Sequence, residues 1–383
     1  MKFLNENNIL TLYFEDELNS TNADKIDQEV EAIIKEQEFN ELVFDFLDLR
    51  YVSSAGLRIV LKLKQHYNDI SIVNVNLEVY DILTMTGFTN FMPVKKALKE
   101  VNVEGCPVIG EGFFSTVYRL NEDTIIKVFN RTSDEKQIER ELKLAKQAFI
   151  LGIPTAISFD IVKVKDKLGV RFEMLDCQSL KNAFINEKEH YDYLVKKYAK
   201  LLKKINSTEC FDPDVPDMKE AYLNKLAYLK PYFEESIYAK TKMLLEKIPQ
   251  KMNFIHGDCH FKNIMVQGDE FLIIDMDTLS HGYFIFELAA IRATYIGFEE
   301  DDPGNCERFL GVSKEFSDNL YEDILAYYFG KVTEDTKNKI AFVSYLHMIW
   351  WTKINEPNND KRFNGCMDRF LKLVDKVTTL EIR

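Results

Sequence analysis

The sequence predicts two folds in succession: an α/β layer over the first hundred residues, then an α+β unit that opens as β-rich hairpins and closes as helices. Three observations predict this. Up to about residue 90, short β-rich runs alternate with segments of helical spacing, the pattern of helices packed on a sheet. Between Val108 and Phe129 two β-rich runs flank a G-x-G turn. From Tyr191 onward, long stretches repeat apolar residues at three- and four-residue intervals, which is helical periodicity.

In the first unit, Ile9 to Phe14 is a β-rich run. Asn22 to Lys35 places Ala23, Ile26, Val30 and Ile33–Ile34 on one helical face. Glu41 to Phe46 is a second strand, and Ser53-Ser54-Ala55-Gly56 opens a helix to Tyr67 with serine placed to cap it. Ile70 to Val75 is a further strand, and Glu78 to Thr86 a short helix ending at Gly87. Pro93 to Val103 reads as a short connection, poor in Gly and Ser, that joins the two units stiffly. The predicted boundaries are 1–100, then 101–176 as the β-rich lobe and 177–383 as the helical lobe.

Composition bounds what the chain does. Of 383 residues, 46% are hydrophobic and 29% charged, enough for two cores. The net charge of −13 argues against nucleic acid or an anionic membrane as the main partner. Six scattered cysteines with no C-x-x-C spacing predict neither a disulfide framework nor a zinc site and fit a reducing cytoplasm. No apolar run reaches the length of a membrane span.

The second unit carries chemistry in three places. Val108 to Leu120 reads V-I-G-E-G-F-F-S-T-V-Y-R-L. Gly110 and Gly112 let backbone N–H groups approach a phosphate, Ser115 stands where a third glycine often lies, and Val117 is placed to cover an adenine ring. Ten residues later Lys127 interrupts an apolar strand, a position suited to pairing nucleotide phosphates. Its carboxylate partner is expected on the next helix, with Glu141 favoured over Glu139. Backbone groups from Glu173 to Leu175, at the end of a further strand, are candidates to hydrogen-bond adenine. The most specific signal is His256-Gly257-Asp258-x-His260-x-x-Asn263, then an apolar strand ending in Asp275. An Asp can take a proton from a hydroxyl, while an Asn and a second Asp are oxygen ligands that suit Mg²⁺. His256 and His260 do not read as zinc ligands, because Gly257 argues against the helix that H-x-x-x-H needs; a role in holding the loop backbone is expected of both.

These motifs carry two family resemblances. F-D-F-L-D-L-R-Y-V-S-S-A-G-L-R at 44–58 and V-Y-D-I-L-T-M-T-G-F at 79–88 resemble the STAS domain of sulfate transporters and anti-sigma factor antagonists. That resemblance implies a regulatory phosphosite at Ser54, although Ser53 stands where antagonists usually have Asp. From about residue 103 the chain resembles the aminoglycoside phosphotransferase and choline kinase group of the protein-kinase-like fold. The resemblance implies Asp258 as catalytic base, Asn263 and Asp275 as metal ligands, Lys127 as phosphate lysine, and ATP (or GTP) with Mg²⁺ as what the site takes. Phe261-Lys262 departs from the smaller residues or proline usual in the group.

The spacing after Asp275 selects among kinases. A protein kinase needs some twenty or more residues there before its A-P-E helix, whereas Glu287-Leu288-Ala289 follows after about ten. A small-molecule hydroxyl is therefore the expected acceptor, with the STAS unit as sensor or regulator. The alternatives are a protein kinase acting on Ser54 and a nucleotide-sensing module whose STAS domain docks a protein partner. Asp277 is a possible further metal or substrate contact. Helices at Tyr191–Ile205, Asp217–Leu229, Ser236–Lys247, Ser317–Phe329 and Thr336–Lys353 are expected to form the acceptor region. There Glu299 to Asp302 is a candidate attractor for a cationic acceptor, against a solvated loop. Trp350 or Trp351 is a candidate stacking platform, against plain core.

Overall fold

The structure, a computed structural model, describes residues 1–111, 115–130, 135–212 and 215–382, the side chains of 135 and 136 excepted. It divides into two compact units, Met1–Asn102 with Val162–Asp166, and Val103–Ile161 with Lys167–Arg383.

The first unit contains β1 (Lys2–Glu6), β2 (Ile9–Leu18), α1 (Ala23–Glu36), β3 (Glu41–Val52), α2 (Ser54–His66), β4 (Ile70–Val75), α3 (Leu77–Met85), β5 (Val94–Lys96) and the two-residue β6 (Lys99–Glu100). Its five-stranded sheet runs in the order β1-β2-β3-β4-β5. β1 is antiparallel to β2, and the other pairs are parallel. Alternation drives the layering: Leu42, Phe44 and Phe46 of β3 are buried while the residues between them are less so. Phe14 meets Phe44 and Phe46 edge-on at 5.4 and 5.2 Å. Val30 of α1 and Val60 and Leu63 of α2 close the same core. Ser53 caps α2, its hydroxyl accepting from the Ala55 N–H at 3.2 Å and the Gly56 N–H at 3.5 Å. Gly56 is required by packing, because a Cβ there would lie 2.7 Å from the Leu18 carbonyl oxygen.

The segment expected as a plain connection departs from expectation. Val94–Lys96 forms β5, with Val94 paired to Ile72. One apolar residue among lysines is too weak a signal for a strand, yet the exposed edge of β4 supplies its partner. β1 was likewise invisible in a polar, asparagine-rich N-terminus.

The second unit begins with β7 (Val108–Glu111), β8 (Ser115–Arg119), β9 (Thr124–Phe129), α4 (Glu135–Ile150), β10 (Ser158–Val164) and β11 (Lys167–Glu173). Antiparallel pairings run β7–β8, β8–β9 and β9–β11. Ile126 and Val128 are buried, so the strand period turns Lys127 to the opposite face. Then come β12 (Gln178–Ser179), α5 (Leu180–Asn186), α6 (Tyr191–Ser207), α7 (Met218–Leu229), α8 (Glu235–Glu246), β13 (Phe254–Ile255), β14 (Ile264–Gln267), β15 (Glu270–Ile273) and β16 (Ser280–His281). The chain ends in α9 (Ile285–Arg292), α10 (Phe298–Asp301), α11 (Lys314–Phe329), α12 (Glu334–Asn355) and α13 (Asp360–Val374). Helix α12 is buried along most of its length from Ile340 to Ile349, as expected of a helix at the centre of a core. A π-helical turn, Ala293–Gly297, links α9 to α10. Gly297 lets α12 approach it, since a Cβ there would lie 2.3 Å from the Met348 sulfur.

Candidate active site

β7, β8, β9, α4, the end of β11 and the loop ends around β14 and β15 enclose a cavity of about 490 Å³. Its lining includes Gly110, Ser115, Val117, Lys127, Glu141, Glu173, Leu175, Asn263 and Asp275. Strand register brings the first of these together: Gly110 pairs with Val117, and Val117 with Lys127. A Cβ on Gly110 would make only ordinary contact with Val117 at 3.5 Å. The protein itself does not demand glycine there; what glycine provides is bare backbone on the cavity. Gly112 lies outside the described residues.

Lys127 joins elements far apart in sequence. Its Nζ donates to Glu141 Oε1 at 3.0 Å and to Asp275 Oδ1 at 2.7 Å. Glu139, the other candidate, is exposed. Burial would lower the Lys127 ammonium, but Asp275 and then Glu141 outweigh it, and its pKa is raised. At the end of β11, the Glu173 side chain is turned back to accept from the Ile157 N–H at 2.6 Å. The Glu173 and Met174 N–H groups donate to Ile157 O and Asp123 O. Leu175 lines the cavity, and among the described residues its N–H has no backbone partner.

The loop 256–263 is fixed chiefly by its backbone. Glu287, at the start of α9 and fully buried, accepts from the His256 N–H at 2.6 Å and the Gly257 N–H at 3.1 Å. Thr278 Oγ1 donates to His256 O at 2.6 Å. The Phe261 N–H donates to the Tyr295 hydroxyl at 2.9 Å, and the Tyr198 hydroxyl donates to Cys259 O. The His256 ring accepts the Asp258 N–H at Nδ1 (3.3 Å) and faces Ile274 O with Nε2 (3.2 Å), which fixes the Nε2-protonated tautomer. Burial lowers its pKa to about 4. Gly257 has φ +84°, and a Cβ would lie 3.2 Å from Thr278 O, so glycine is needed at this turn. The expected backbone-holding role describes His256. His260 instead directs Nε2 to Asp258 Oδ1 at 3.5 Å.

Asn263 spends its amide nitrogen on Asp258, donating to the backbone oxygen at 3.0 Å and to Oδ2 at 3.1 Å. Its carbonyl oxygen remains as a ligand atom. Asp275 follows β15 with φ +68°, a left-handed conformation that costs a non-glycine residue about 1 kcal/mol or more and tends to cluster at functional sites. Desolvation, then the charges of Asp277 and Asp275, push Asp258 up to about 7 against the Asn263 hydrogen bond. Desolvation, then Asp275 and Glu141, raise Asp277 to about 7. Such crowded carboxylates beside a free amide oxygen fit a divalent cation. Among the described residues no group of three or more His, Cys, Asp or Glu forms a metal cage. Mg²⁺ takes one or two carboxylates and leaves its other positions to water and phosphate, and Asn263 and Asp275 are the residues that could hold it.

The acidic run is neither a free attractor nor a solvated loop. Glu299 accepts from the Gly304 and Cys306 N–H groups, both at 2.7 Å. Glu300 pairs with Arg292 at 3.1 Å, and Asp301 takes two bonds of 2.8 Å from Arg369. Asp302 pairs with Arg308 at 2.6 Å and Arg362 at 3.3 Å. Glu299 and Asp301 spend their charges in the buried core, and Glu300 and Asp302 are paired nearer the surface. Trp351 packs edge-on to Phe298 at 5.0 Å, and Trp350 carries the Lys225 ammonium at 4.6 Å. In the first unit, Ser54 is exposed at the first position of α2.

Sequence reasoning missed Tyr198, Tyr295 and Thr278, whose hydroxyls reach the loop from elements distant in sequence. It used Glu287 only to mark a helix. A carboxylate in the apolar run I-F-E-L-A-A-I was the available signal, since such a group must be hydrogen-bonded when buried.

A glycine-bearing hairpin, a lysine shared by two carboxylates, and Asn263 and Asp275 on one cavity with Asp258 hydrogen-bonded to Asn263 are an arrangement suited to phosphoryl transfer. Residues 105–335 match the phosphotransferase enzyme family and residues 3–101 match the STAS domain; the chain belongs to that phosphotransferase family, with an N-terminal STAS domain. The STAS region is 32% identical over 81 residues to the putative anti-sigma factor antagonist BtrV of Bordetella bronchiseptica, across 20% of this chain and 69% of that protein. Two solved structures resemble the rest. The choline/ethanolamine kinase family protein of Mesorhizobium loti is 14% identical, covering 72% of this chain and 88% of its own, with a TM-score of 0.46. The streptomycin-ATP-APH(2")-IIa ternary complex is also 14% identical, covering 79% and 98%, with a TM-score of 0.48. No helix among the described residues is long and apolar enough to cross a membrane.

Proposed function

We propose that the protein is an ATP-dependent, Mg²⁺-dependent kinase of a small-molecule hydroxyl, carrying its STAS domain as a regulatory or sensing module in the cytoplasm. The observation that carries this reading is the convergence of Lys127, Glu141, Asn263 and Asp275 on one cavity, with Asp258 hydrogen-bonded to Asn263 at its edge. Asp258 orients the acceptor hydroxyl and takes its proton. Lys127, held by Glu141, pairs the nucleotide phosphates. Asn263 and Asp275 would hold Mg²⁺, which when bound neutralises charge on the transferring group. With a cation held there, the Asp275 carboxylate that now takes the Lys127 ammonium at 2.7 Å would serve the cation, and the ammonium would be available to phosphate oxygens. The Leu175 N–H and the Glu173 carbonyl receive the base, and Val117 covers it.

Asp258→Asn keeps the shape and removes the proton acceptor. Turnover, read as ADP release across a panel of hydroxylated metabolites, falls by about a thousandfold or more, in the range of lost acid–base catalysis, while a non-hydrolysable ATP analogue binds as before. Retained turnover in that variant would sink the assignment of the base.

A second reading concerns the STAS domain. Ser53 commits its hydroxyl to the cap, whereas Ser54 is exposed at the helix start, where an added phosphate would be favoured by the helix N-terminus. Ser54 is thus the better acceptor for a regulatory phosphoryl group. Phosphosite mapping after incubation with ATP tests this, and label on neither the wild-type domain nor any Ser54-containing peptide would dismiss it.

A further inference from the structure

We infer that the acceptor carries an anionic group as well as its hydroxyl, and that Lys262 and Lys181 bind that group beside Asp258. The inference rests on the proposed role of Asp258 as the residue facing the acceptor hydroxyl.

The lysines come from two elements that meet at one place. Lys262 lies in the loop between Asp258 and Asn263, where its Nζ donates to Phe309 O at 3.0 Å and stands 4.6 Å over the Phe309 ring. The same ring is met edge-on by His260 at 5.6 Å, and His260 reaches Asp258. Lys181, in the first turn of α5, is tied to the loop through its N–H, which donates to Phe261 O at 3.3 Å. Its ammonium occupies space opened by Gly311: a Cβ there would lie 2.3 Å from Lys181 Nζ. Gly311 has φ +72°, so glycine both makes the turn and admits the lysine.

Two features make this pair a binding site rather than a structural ion pair. Among the described residues neither lysine has a carboxylate within salt-bridge distance. Both ammonium groups also sit on one short segment, Lys262 Nζ on Phe309 O at 3.0 Å and Lys181 Nζ in the space over Gly311. Two ammonium groups on one segment, the Lys262 one exposed, make a positive patch that favours an anion. Buried His260 adds a polar atom, Nδ1, that has no hydrogen-bond partner. By contrast, the acidic run from Glu299 to Asp302, the candidate for recognising a cation, is paired throughout. The charge beside Asp258 therefore selects phosphorylated or carboxylated alcohols over amino alcohols.

Two measurements on the full chain test this. The first is turnover with Mg²⁺-ATP on matched alcohols, glycerol against glycerol 3-phosphate and a hexose against its phosphate, with choline and an amino sugar as the cationic arm. The anionic members are expected to be turned over at least tenfold more efficiently. Lys262→Ala and Lys181→Ala each raise their KM about tenfold and leave the KM for ATP within twofold. Preference for a neutral or cationic acceptor overturns the inference. So does a loss in kcat alone shared by all acceptors, which would place Lys262 on the transferring phosphoryl group instead. The second is calorimetric binding of glycerol 3-phosphate to protein saturated with a non-hydrolysable ATP analogue and Mg²⁺. Binding that weakens about tenfold in each lysine variant supports the inference even if no acceptor in the panel reacts; binding that is absent, or unchanged in both variants, overturns it. Failure of the kinase reading shows differently, as ATP turnover that survives Asp258→Asn.

Discussion

Lys127 shows what local sequence contains and what it lacks. A lysine inside T-I-I-K-V-F, downstream of G-x-G, announces a phosphate site. Its contact with Glu141 spans 14 residues and was open to the choice between Glu139 and Glu141; the one with Asp275 spans 148. Strand register and the α4 face settle the first, and only the closed fold supplies the second. The contact with Asp275 also has a consequence for variants. Lys127→Met removes a shared cation and leaves two carboxylates facing each other across the cavity. Loss of one preorganised charge donor typically costs about 10²–10³ in rate, so turnover should fall at least a hundredfold while circular dichroism stays native. A variant within threefold of wild type would remove Lys127 from the phosphate site. Lys262 teaches the converse. It stood out in sequence as a departure from the family pattern, but its meaning depended on Lys181, Gly311 and Phe309 lying beside it.

At the scale of elements, the loop 256–263 was legible as a motif but not as a held structure. Its backbone is pinned by Glu287 of α9, Tyr198 of α6, Tyr295 of the π turn and Thr278, and no periodicity reports such hydroxyl-to-backbone bonds. Glu287 makes the dependence measurable. Burial raises its pKa to about 7, against the hydrogen bonds it accepts from the loop. An unfolded glutamate ionises near 4.3, so between about pH 4.5 and 7 the folded chain retains a proton that the unfolded chain has lost. Its contribution to stability is present in full below the unfolded pKa and is lost as pH rises through 7. Glu287→Gln abolishes this titration and forces an amide N–H against one of the loop donors, costing about 1–3 kcal/mol. Urea unfolding at pH 5 and pH 8 should show a smaller pH difference in the variant than in wild type. An equal difference would mean Glu287 does not titrate in this range. In the STAS domain the cap was legible from Ser53-Ser54 alone. Ser53→Ala should cost about 1 kcal/mol, read as a lower midpoint for unfolding of the STAS unit on heating.

Among the described residues, beside a small cluster of Phe129, Ile138 and Val170, there are two large cores, one around Phe14, Phe44 and Phe46 and another around α6, α9 and α12. Composition and motif order anticipated both. The helical lobe was read less completely: α5 and α13 were not anticipated, because α5 is a short segment and α13 is rich in charged residues. Separate cores give ligand binding a specific signature. A nucleotide that binds only the folded phosphotransferase unit stabilises it by RT ln(1 + [L]/Kd), about 2.7 kcal/mol at a hundredfold excess over Kd. The STAS core gains nothing directly from that term. Scanning calorimetry with a non-hydrolysable ATP analogue and Mg²⁺ should move the transition of the larger unit upward by several degrees. Asp275→Asn, which weakens the cation site, should reduce that shift, and Ser53→Ala should leave it unchanged while lowering the other transition. If nucleotide raised both transitions equally, the two cores would be unfolding as one cooperative unit. The STAS domain would then share the stabilisation that nucleotide gives the larger unit.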